Sequence, residues 1–476
     1  MNLSDLLRRH AESTPDALAY VGDGIAFTYR DLDTLIDTVA QRALDASVRP
    51  GHRVSLAIRR DLPILTAILA LARIGAVSIN RLDREDPCDV CMATPENGPS
   101  TVARTIDVTE DWFTRAAASR EGPVTPFAGG DAVCRIFRTS GTTGKPKFVA
   151  MTHASLLQRL ALRARASPLP SPVRSLSMVR PGSSYGFQVT MRVLSEGGTV
   201  VDAPYLNGLP AAIVRQRVNY LTISPGILAP LIAQMQPGEG PFPSLALVEV
   251  SGARLTAPLA RAASTRVSPH LVLLYGSTES GIVAIAPYPE IAGRDGAVGH
   301  VVPGVEVEAV DAAGMPVARG TDGILRFRGE TVATEYADGS GHAKAFRGGW
   351  FYSGDMGRID ADGVLVIAGR TDERINIGGE KLAPEVIEQF AVSLPGIVDA
   401  AAFAFPSSLG IDRVGIAIVA GPGFEFEPFK ERCNAELGIF SPAIVLNMAA
   451  IPRNENGKVP RHALVKLVPA AAQATD

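Results

Sequence analysis

Apolar and polar residues follow one another along the chain in a pattern that predicts alternating strands and helices. Val54 to Ile58 and Ala76 to Ile79 are short apolar runs typical of buried strands, and Pro63 to Ile74 between them has the length and spacing of a helix. A strand, a helix and a second strand in this order form a βαβ unit, in which the two strands are parallel. This part of the chain therefore predicts an α/β fold.

The same kind of pattern continues on both sides of this unit. Thr28 stands directly before a segment of helical periodicity, so we expect it to cap the N-terminus of that helix. We predict further helices over Leu3 to Ala11, Tyr29 to Leu44 and Ser155 to Ala166, and strands over Ala132 to Phe137, Gly198 to Val201 and Tyr220 to Ile223.

From about Gly299 the pattern changes to short strands separated by turns, as in Val305 to Val310. A polar stretch near Arg370 then leads into a smaller set of elements. The sequence thus predicts an N-terminal domain over residues 1–371, with a β-rich subdomain from about 299 to 371, and a C-terminal domain over residues 372–476. In the latter we predict helices over Pro384 to Val392 and Pro428 to Leu437, and strands over Ala400 to Phe405 and Val414 to Val419.

Charge and hydropathy narrow the classes of function. The 46 Lys and Arg residues nearly balance the 49 Asp and Glu residues, so a net charge of −3 offers no basic surface to nucleic acid or an anionic membrane. The first residues lack the basic start and apolar run of a signal peptide. The most apolar stretch, Leu62 to Ile79, contains Arg73 and is short for a membrane span. We therefore expect a cytoplasmic protein without a membrane span.

The four cysteines are too few to form a disulfide framework in a chain of 476 residues. Cys88 and Cys91 form a CxxC pair, but a zinc site would need two more ligands, and the sequence has no second CxxC and no HxxxH. We expect ordinary thiols at Cys88, Cys91, Cys134 and Cys433.

The segment from Arg138 to Lys147 is a candidate polyphosphate-binding loop. Two glycines allow a tight turn that brings backbone N–H groups close to an anion, and hydroxyls and lysines add donors and charge. A Walker A loop is excluded, because Thr139 stands where its first glycine would be and Pro146 follows Lys145. Taken alone, the segment also fits a solvated polar turn. The candidate residues are Thr139, Ser140, Gly141, Thr142, Thr143, Gly144, Lys145 and Lys147.

Three further segments each suggest part of a nucleotide site. In Leu274 to Glu279 an aromatic ring and a carboxylate follow an apolar run, which suits stacking on a purine and binding Mg²⁺ beside phosphates. A helix capped by Ser277 or Thr278 is the alternative. Asp355 follows aromatic residues, and its carboxylate suits the binding of ribose hydroxyls. The alternative is that Asp355 is an ordinary turn residue. Lys458 lies in a polar, glycine-containing loop and is the third candidate. The alternative is an ordinary surface lysine that is surrounded by solvent.

Five segments in this order together resemble the adenylate-forming superfamily: TSGTTGKPK, YGSTE, YSGD, GRTDERINIGGEKLAPEVIE and NGKVPR. The superfamily includes acyl-CoA synthetases, adenylation domains of peptide synthetases, and luciferases. The resemblance runs from about Leu3 to Val465. It implies a large N-terminal lobe of parallel αβ subdomains with a small β-barrel-like subdomain, followed by a smaller, mobile α+β C-terminal domain.

The resemblance also implies which residues bind the nucleotide and its metal. The loop from Thr139 to Lys147 would cover the β- and γ-phosphates of ATP, and Glu279 would be a ligand of Mg²⁺. Tyr275 would stack near adenine, and Asp355 and Arg370 would bind the ribose. The implied site further includes Ser251, Gly252, Ala253, Gly276, Ser277 and Thr278.

Residues toward the C-terminus would act in catalysis and domain motion. Lys458 would bridge the substrate carboxylate and the α-phosphate, where an ammonium stabilises developing negative charge. Asp372 would be the hinge about which the C-terminal domain turns, and Gly378 and Gly379 would line the path of the incoming thiol. Lys458 and Glu279 are thus the predicted catalytic residues.

The acid-binding segment departs from the family pattern. Where many acyl-CoA synthetases carry a histidine, this chain has Met178 to Gly186, and we assign Ser184 and Tyr185 to the acyl pocket. Peptide-synthetase adenylation domains place an aspartate near the position of Ser184, where it pairs with the α-ammonium of an amino acid. A neutral hydroxyl does not balance a buried cation, which disfavours an α-amino acid.

The reaction implied by the resemblance has two steps, adenylation of a carboxylic acid and transfer of the acyl group to a thiol. Our hypothesis is an Mg²⁺- and ATP-dependent ligase that joins a fatty, aryl or short organic acid to CoA. An acyl-AMP ligase that loads the phosphopantetheine of a carrier protein is one alternative. A nucleotide-binding homologue without turnover is another, and the retention of Lys147, Glu279 and Lys458 counts against it.

Overall fold

The computed structural model of the protein describes residues 1–22, 24–80, 88–95, 104–114, 124–139, 147–203, 208–236, 238–339, 345–370, 375–377, 380–406, 412–454 and 457–469. Within these ranges, no helix is long and apolar enough to cross a membrane.

A six-stranded sheet contains the βαβ unit predicted near the start of the chain. Arg53–Ala57 and Val77–Asn80 are parallel neighbours, and the helix Asp61–Arg73 connects them. The helix is apolar on nearly every side because it is buried almost completely, including Arg73. The strands of this sheet, in spatial order, are Thr105–Asp107, Val90–Ala93, Arg53–Ala57, Val77–Asn80, Val133–Thr139 and Lys147–Thr152.

A fourteen-stranded sheet forms the largest layer and is parallel in its central part. Four neighbouring strands, Arg174–Ser177, Tyr220–Ile223, Leu247–Val250 and Leu271–Ser277, run in the same direction. On one side the sheet continues through Thr199–Val201, Leu18–Gly22 and Ile25–Thr28. On the other side it continues through Gly281–Pro287, Ala297–Val301, Val364–Arg370, Trp350–Ile359, Gly323–Gly329 and Val305–Val310, and Phe346–Arg347 pairs with Trp350–Ile359.

The strands predicted for the β-rich region therefore exist, and they extend the large sheet in antiparallel fashion. Ala297–Val301 pairs with Gly281–Pro287 on one side and Val364–Arg370 on the other. In Gly323–Gly329, buried and more exposed side chains alternate, which fits a sheet that is buried on one face.

The helices lie between and around these sheets. Thr28 caps the second helix, as predicted, and it forms a full capping box in which Asp31 donates its N–H to the Thr28 hydroxyl and accepts the Thr28 N–H. In the part of the chain that the structure describes, the helices are Asp5–Ser13, Tyr29–Asp45, Asp61–Arg73, His153–Ala166, Ser184–Ser195, Leu209–Arg215, Pro225–Gln234, Ala257–Arg266, Tyr288–Ile291, Pro384–Ser393, Phe426–Leu437 and Arg461–Val465, with 3₁₀ turns at Glu110–Phe113 and Gly438–Phe440.

The C-terminal elements form small sheets of their own. Ile397–Pro406, Asp412–Ala420 and Ile444–Asn447 make a three-stranded sheet, and Ile375–Ile377 pairs with Glu380–Leu382. Helices pack on the three-stranded sheet and bury a separate apolar cluster around Ile387. The mixed α/β class predicted from the sequence is confirmed, whereas the domain boundary at residues 371 and 372 stays a prediction.

None of the four cysteines, which all lie within the described ranges, forms a disulfide. Burial raises the pKa of the Cys134 thiol to about 12 and that of the Cys433 thiol to about 11. Neither thiol forms an appreciable amount of thiolate near neutral pH, so both behave as small apolar side chains.

Candidate active site

The predicted phosphate-binding loop connects two antiparallel strands. Val133–Thr139 pairs with Lys147–Thr152, and Thr139 faces Lys147 across the ladder. A strand follows the loop, and a helix begins only at His153, which is unlike a Walker A loop. Six of the predicted loop residues lie outside the described residues: Ser140, Gly141, Thr142, Thr143, Gly144 and Lys145.

The segment that carries Glu279 is a tight turn between two strands. Leu271–Ser277 pairs in antiparallel fashion with Gly281–Pro287. Ser277 and Ser280 close the turn reciprocally, because the backbone N–H of each donates to the hydroxyl of the other, at 3.0 and 3.1 Å. The alternative of a helix starting at Ser277 or Thr278 is therefore wrong, since the hairpin already uses the backbone of this segment.

Gly276 and Arg159 keep this turn in place. A Cβ atom at Gly276 would lie 2.0 Å from a carbonyl oxygen of the facing strand, so the close approach of the strands requires glycine. Arg159 is 3% exposed and donates hydrogen bonds to the carbonyl oxygens of Thr278 and Glu279, both at 2.8 Å, and of Thr331 at 2.9 Å. The sequence analysis missed Arg159, because nothing in its local pattern indicates a partner 119 residues away.

The Glu279 side chain is buried and contacts a tyrosine that the sequence analysis also missed. The hydroxyl of Tyr336 donates to Oε1 of Glu279 at 3.0 Å and accepts from Nζ of Lys147 at 3.4 Å. Burial, and then the charge of Glu279, raise the pKa of the Tyr336 hydroxyl, which therefore keeps its proton. The predicted metal ligand and the predicted phosphate-loop lysine thus lie on either side of one hydroxyl group.

The surroundings of Glu279 fit a magnesium ion that is held mainly by phosphates. Among the described residues, the Glu279 carboxylate accepts a side-chain hydrogen bond only from Tyr336, through Oε1. No group of three or more His, Cys, Asp or Glu side chains in the described ranges is arranged to hold a metal. Magnesium bound to nucleotides takes one or two protein carboxylates and fills its other positions with phosphate oxygens and water. Oε2 of Glu279 would supply one such ligand, and this role stays a prediction.

A second cluster joins three residues that the sequence analysis assigned to adenine and ribose. Asp355 and Arg370 pair across neighbouring strands, and a guanidinium N–H of Arg370 donates to Oδ1 of Asp355 at 2.9 Å. The hydroxyl of Tyr275 donates to the other carboxylate oxygen of Asp355. Burial, and then the charge of Asp355, raise the pKa of Tyr275. Asp355 lies within the strand Trp350–Ile359, so the alternative of an ordinary turn residue is wrong.

The two clusters are electrostatic neighbours. The positive charge of Arg370 lowers the pKa values of both Tyr275 and Tyr336, in opposition to the larger effect of burial. Packed aromatic rings also connect the two clusters, because Tyr275 contacts Phe327 and Tyr336 contacts Phe346, with ring centroids 6.1 and 5.0 Å apart. Phe351 joins the two pairs, since its ring lies 6.3 Å from Phe327 and 5.2 Å from Phe346. The structure therefore brings Tyr275, Asp355 and Arg370 into the same region as Glu279 and Lys147.

Ser251, Gly252 and Ala253 lie at the edge of the sheet where parallel strands end. They follow the strand Leu247–Val250, and the neighbouring strand Tyr220–Ile223 runs in the same direction. Gly252 is exposed and has a φ of 91°, a conformation that favours glycine. Ligands of parallel α/β sheets bind beyond the carboxyl ends of the strands, which is the location of this segment.

The loop that carries Lys458 lies against this same edge. The Cα of Gly457 lies close to the helix Pro225–Gln234, which follows the strand Tyr220–Ile223, and a Cβ there would be 3.1 Å from the hydroxyl of Ser224. Asn454 shapes the loop by accepting the Lys458 N–H on its side-chain oxygen at 2.9 Å. The Lys458 side chain is exposed. The contact of its ammonium group with the substrate and the α-phosphate stays a prediction.

The two residues assigned to the acyl pocket begin the helix Ser184–Ser195, over a buried polar cluster. Tyr185 and Arg163 each donate a hydrogen bond to one oxygen of Glu249, and Tyr220 donates to the other at 3.0 Å. Glu249 is completely buried. The sequence analysis missed this acid, which sits inside the apolar run of a central strand. The acyl-pocket role of Ser184 and Tyr185 stays a prediction.

Three predicted residues cannot be placed relative to these clusters. Asp372, the predicted hinge, and Gly378 and Gly379, predicted to line the thiol path, lie outside the described residues. Their roles remain predictions from the sequence.

Comparisons with known proteins agree on one family. A model described as "AMP-binding enzyme" matches residues 7–337. The 2-hydroxy-7-methoxy-5-methyl-1-naphthoate–CoA ligase of Streptomyces carzinostaticus is 27% identical over 97% of this chain and 92% of its own length. The probable non-canonical nonribosomal peptide synthetase CymA of Salinispora arenicola is 28% identical over 95% of this chain, which corresponds to 6% of that much longer protein.

A similar fold is found among solved structures. The ATP-bound RpMatB-BxBclM chimera B3 superposes with a TM-score of 0.85 and covers 99% of this chain and 100% of its own, at 23% sequence identity. At that identity the likeness concerns the fold alone.

Proposed function

The chain belongs to the AMP-binding enzyme family, and on that basis we propose that it is an ATP-dependent acid–CoA ligase. In the first step, an oxygen of the substrate carboxylate attacks the α-phosphorus of ATP. The bond between the α-phosphorus and the β-bridging oxygen breaks, and acyl-adenylate and pyrophosphate form. In the second step, the thiolate sulfur of CoA attacks the acyl carbon, and AMP leaves with its electron pair.

The observation that carries this proposal is the meeting of separately predicted residues from the six-stranded and the fourteen-stranded sheet. Glu279 and Lys147 share a contact with Tyr336, while Tyr275, Asp355 and Arg370 form a cluster beside them. A solvated polar turn at residues 139–147 would not need a buried carboxylate next to its closing lysine. Binding of a nucleotide with its phosphates accounts for both clusters.

Each cluster has a distinct task in this proposal. The Asp355 carboxylate accepts hydrogen bonds from ribose hydroxyls, and its contacts with Tyr275 and Arg370 fix its orientation. Lys147 supplies positive charge at the end of the phosphate loop. Mg²⁺, when bound through Glu279 and the phosphates, neutralises the charge of the departing pyrophosphate. Preorganised charges of this kind lower the barrier because they need not reorient during the reaction.

Lys458 completes the adenylation site. Its ammonium interacts with the substrate carboxylate and the α-phosphate, two anions that repel each other as they approach. After adenylation, residues 372–476 turn about Asp372, which withdraws Lys458 and presents Gly378 and Gly379 to the thiol. A small C-terminal unit joined to the remainder by one connection suits such a motion.

The neutral character of Ser184 supports an acid without an α-ammonium group, as argued from the sequence. The similar protein from Streptomyces carzinostaticus is named for a hydroxylated aromatic acid. Aromatic acids are therefore the first class to test, ahead of fatty and short organic acids.

A pyrophosphate-release screen tests the first step. The purified protein is incubated with Mg·ATP and a few dozen carboxylic acids, and acid-dependent pyrophosphate is measured. We expect at least one aromatic acid to give release above the acid-free background. Binding of ATP or AMP without any acid-dependent release would instead support a nucleotide-binding homologue without turnover.

Loading of a carrier protein is the second candidate, because the match to CymA covers most of this chain. CoA and carrier proteins present the same phosphopantetheine thiol, so the acceptors need a direct comparison. With an acid identified by the screen, thioester formation is measured with free CoA and with a phosphopantetheinylated carrier protein. Thioester formed on the carrier alone would overturn the CoA assignment.

A further inference from the structure

Tyr336 lies in a segment that connects the two charged residues of the phosphate site through the backbone. The N–H of Ala333 donates to the carbonyl oxygen of Glu279 at 2.7 Å. The N–H of Ala337 donates to the carbonyl oxygen of Phe148, also at 2.7 Å, and Phe148 is the residue after Lys147. The segment 333–337 is therefore tied to the Glu279 turn at one end and to the strand that follows the phosphate loop at the other.

The side chain of Tyr336 lies between these two attachments and is 3% exposed. Its ring packs edge-on against Phe346, with ring centroids 5.0 Å apart. Nζ of Lys147 lies 5.0 Å from the centre of the Tyr336 ring, within the range of a cation–π interaction. The ring is thus fixed by packing, and the position of its hydroxyl is set before any ligand arrives.

The Tyr336 hydroxyl acts both as a hydrogen-bond donor and as an acceptor. It donates its proton to Oε1 of Glu279 and accepts a hydrogen bond from Nζ of Lys147. Without the hydroxyl, the ammonium and the carboxylate would be drawn together, since opposite charges attract strongly in a site of low dielectric constant. A direct ion pair would neutralise the two groups that the proposed reaction needs for phosphate and metal.

We propose that Tyr336 is a positioning residue that holds Glu279 and Lys147 apart and in register with the phosphates of Mg·ATP. This inference rests on the proposed function. The hydroxyl satisfies Oε1, which leaves Oε2 as the oxygen that would hold Mg²⁺, and it occupies one donor of Lys147, which leaves two N–H groups that would bind phosphate. Tyr336 acts through these two residues and does not itself touch the reacting atoms.

The Tyr336→Phe variant tests the inference, because it keeps the ring and removes only the hydroxyl. We expect the dissociation constant of Mg·ATP, measured by calorimetry, to increase about 10-fold, as for the loss of a hydrogen bond to a charged group. Binding of ATP in the presence of EDTA should change much less, because the hydroxyl acts mainly on the metal ligand. The KM for the carboxylic acid should stay unchanged.

Tyr29→Phe is the matched control. Tyr29 is completely buried, and its hydroxyl donates to the carbonyl oxygens of Leu194 at 3.0 Å and Gly198 at 2.7 Å, away from the phosphate site. If Tyr336→Phe acted only through loss of stability, Tyr29→Phe would weaken Mg·ATP binding to a similar extent. We expect Tyr29→Phe to lower the melting temperature and to leave Mg·ATP binding unchanged.

A double-variant comparison separates the contact with Glu279 from general effects. Glu279→Gln keeps an oxygen that accepts the hydroxyl but lacks the charge that binds metal, so it should lose most of the Mg²⁺ dependence of ATP binding. Adding Tyr336→Phe to Glu279→Gln should then change the affinity little, because the two residues act as one unit. Fully additive losses would overturn the inference.

The two proposals fail in different ways. If the wild-type protein binds Mg·ATP but adenylates no acid, the proposed function fails while the role of Tyr336 in metal-dependent ATP binding still stands. If the wild-type protein adenylates an acid and Tyr336→Phe binds Mg·ATP as tightly as the wild type, Tyr336 is not a positioning residue and the proposed function stands.

Discussion

Replacement of Lys458 by alanine should separate the two steps of the proposed reaction. The Lys458 side chain is exposed, and the loop around it is shaped by backbone groups: its N–H donates to the Asn454 side chain at 2.9 Å, and its carbonyl oxygen accepts the Asn454 N–H at 2.8 Å. Alanine retains both contacts. We therefore expect the free energy of unfolding to change by less than about 0.5 kcal/mol, as for surface substitutions.

The effect on adenylation should be far larger than the effect on folding. Loss of one preorganised donor at a developing negative charge reduces kcat by about 100- to 1,000-fold in other enzymes. We expect a loss of this size in acid-dependent pyrophosphate release. Thioester formation from preformed acyl-adenylate and CoA should be largely retained, because Lys458 has no task in the second step.

The assay compares both half-reactions in the wild type, Lys458→Ala and Lys430→Ala. Lys430 is an exposed lysine on the helix Phe426–Leu437, so its replacement removes the same charge from the same part of the chain. Lys430→Ala should behave as the wild type in both assays. Equal losses of both half-reactions in Lys458→Ala would refute the role assigned to this lysine.

Three further predictions concern stability and the hairpin turn. Burial, and then the charge of the N-terminal ammonium, lower the pKa of His153 from 6.5 to about 4, while the charge of Asp5 raises it. Between these two pH values the unfolded chain binds a proton at this histidine and the folded chain does not. The free energy of unfolding should therefore be highest above pH 6.5 and fall by up to roughly 3 kcal/mol toward pH 4. Urea unfolding at several pH values checks this slope, which His153→Asn should reduce. Glu249→Leu should lower the free energy of unfolding in urea by about 3–5 kcal/mol, because it leaves the Arg163 guanidinium buried without its acid. An unchanged free energy of unfolding would show that the cluster is dispensable for folding. Gly276→Ala should weaken AMP binding by isothermal calorimetry, since the added methyl overlaps the facing carbonyl oxygen; unchanged binding would show that the hairpin tolerates the shift.

Local patterns predicted most of the secondary structure, because its causes are local. Thr28 lies at the helix start that its side chain stabilises, and the βαβ unit near the start of the chain follows from the lengths of its apolar runs. For the segment after Tyr275, the sequence left a helix start open as an alternative, and this has a physical reason. Ser277 and Thr278 favour a helix cap and a tight turn equally, and only the pairing with Gly281–Pro287 decides for the turn.

The candidate site could be predicted wherever a residue lies in a motif that carries its own chemistry. Glu279, Asp355 and Lys147 were predicted in this way, and Arg370 was predicted from the family resemblance. The structure places these four residues in two neighbouring clusters, and their roles stay predictions. Arg159, Tyr336 and Glu249 could not be found, because an arginine on a helix, a tyrosine in a loop and a glutamate in an apolar strand have no distinctive local pattern. Their side-chain hydrogen bonds join residues that are 29 to 189 positions apart in the chain.

The sequence by itself determined the α/β class, the order of the elements and the residue types that suit ATP chemistry, since periodicity, capping and charge act over a few residues. The tertiary structure decided which of those residues meet. It placed one hydroxyl between Glu279 and Lys147, one guanidinium behind the turn of Glu279, and a buried acid beneath Tyr185. The physical reason is that a buried polar group must find a partner in space, and the fold rather than the local sequence selects that partner.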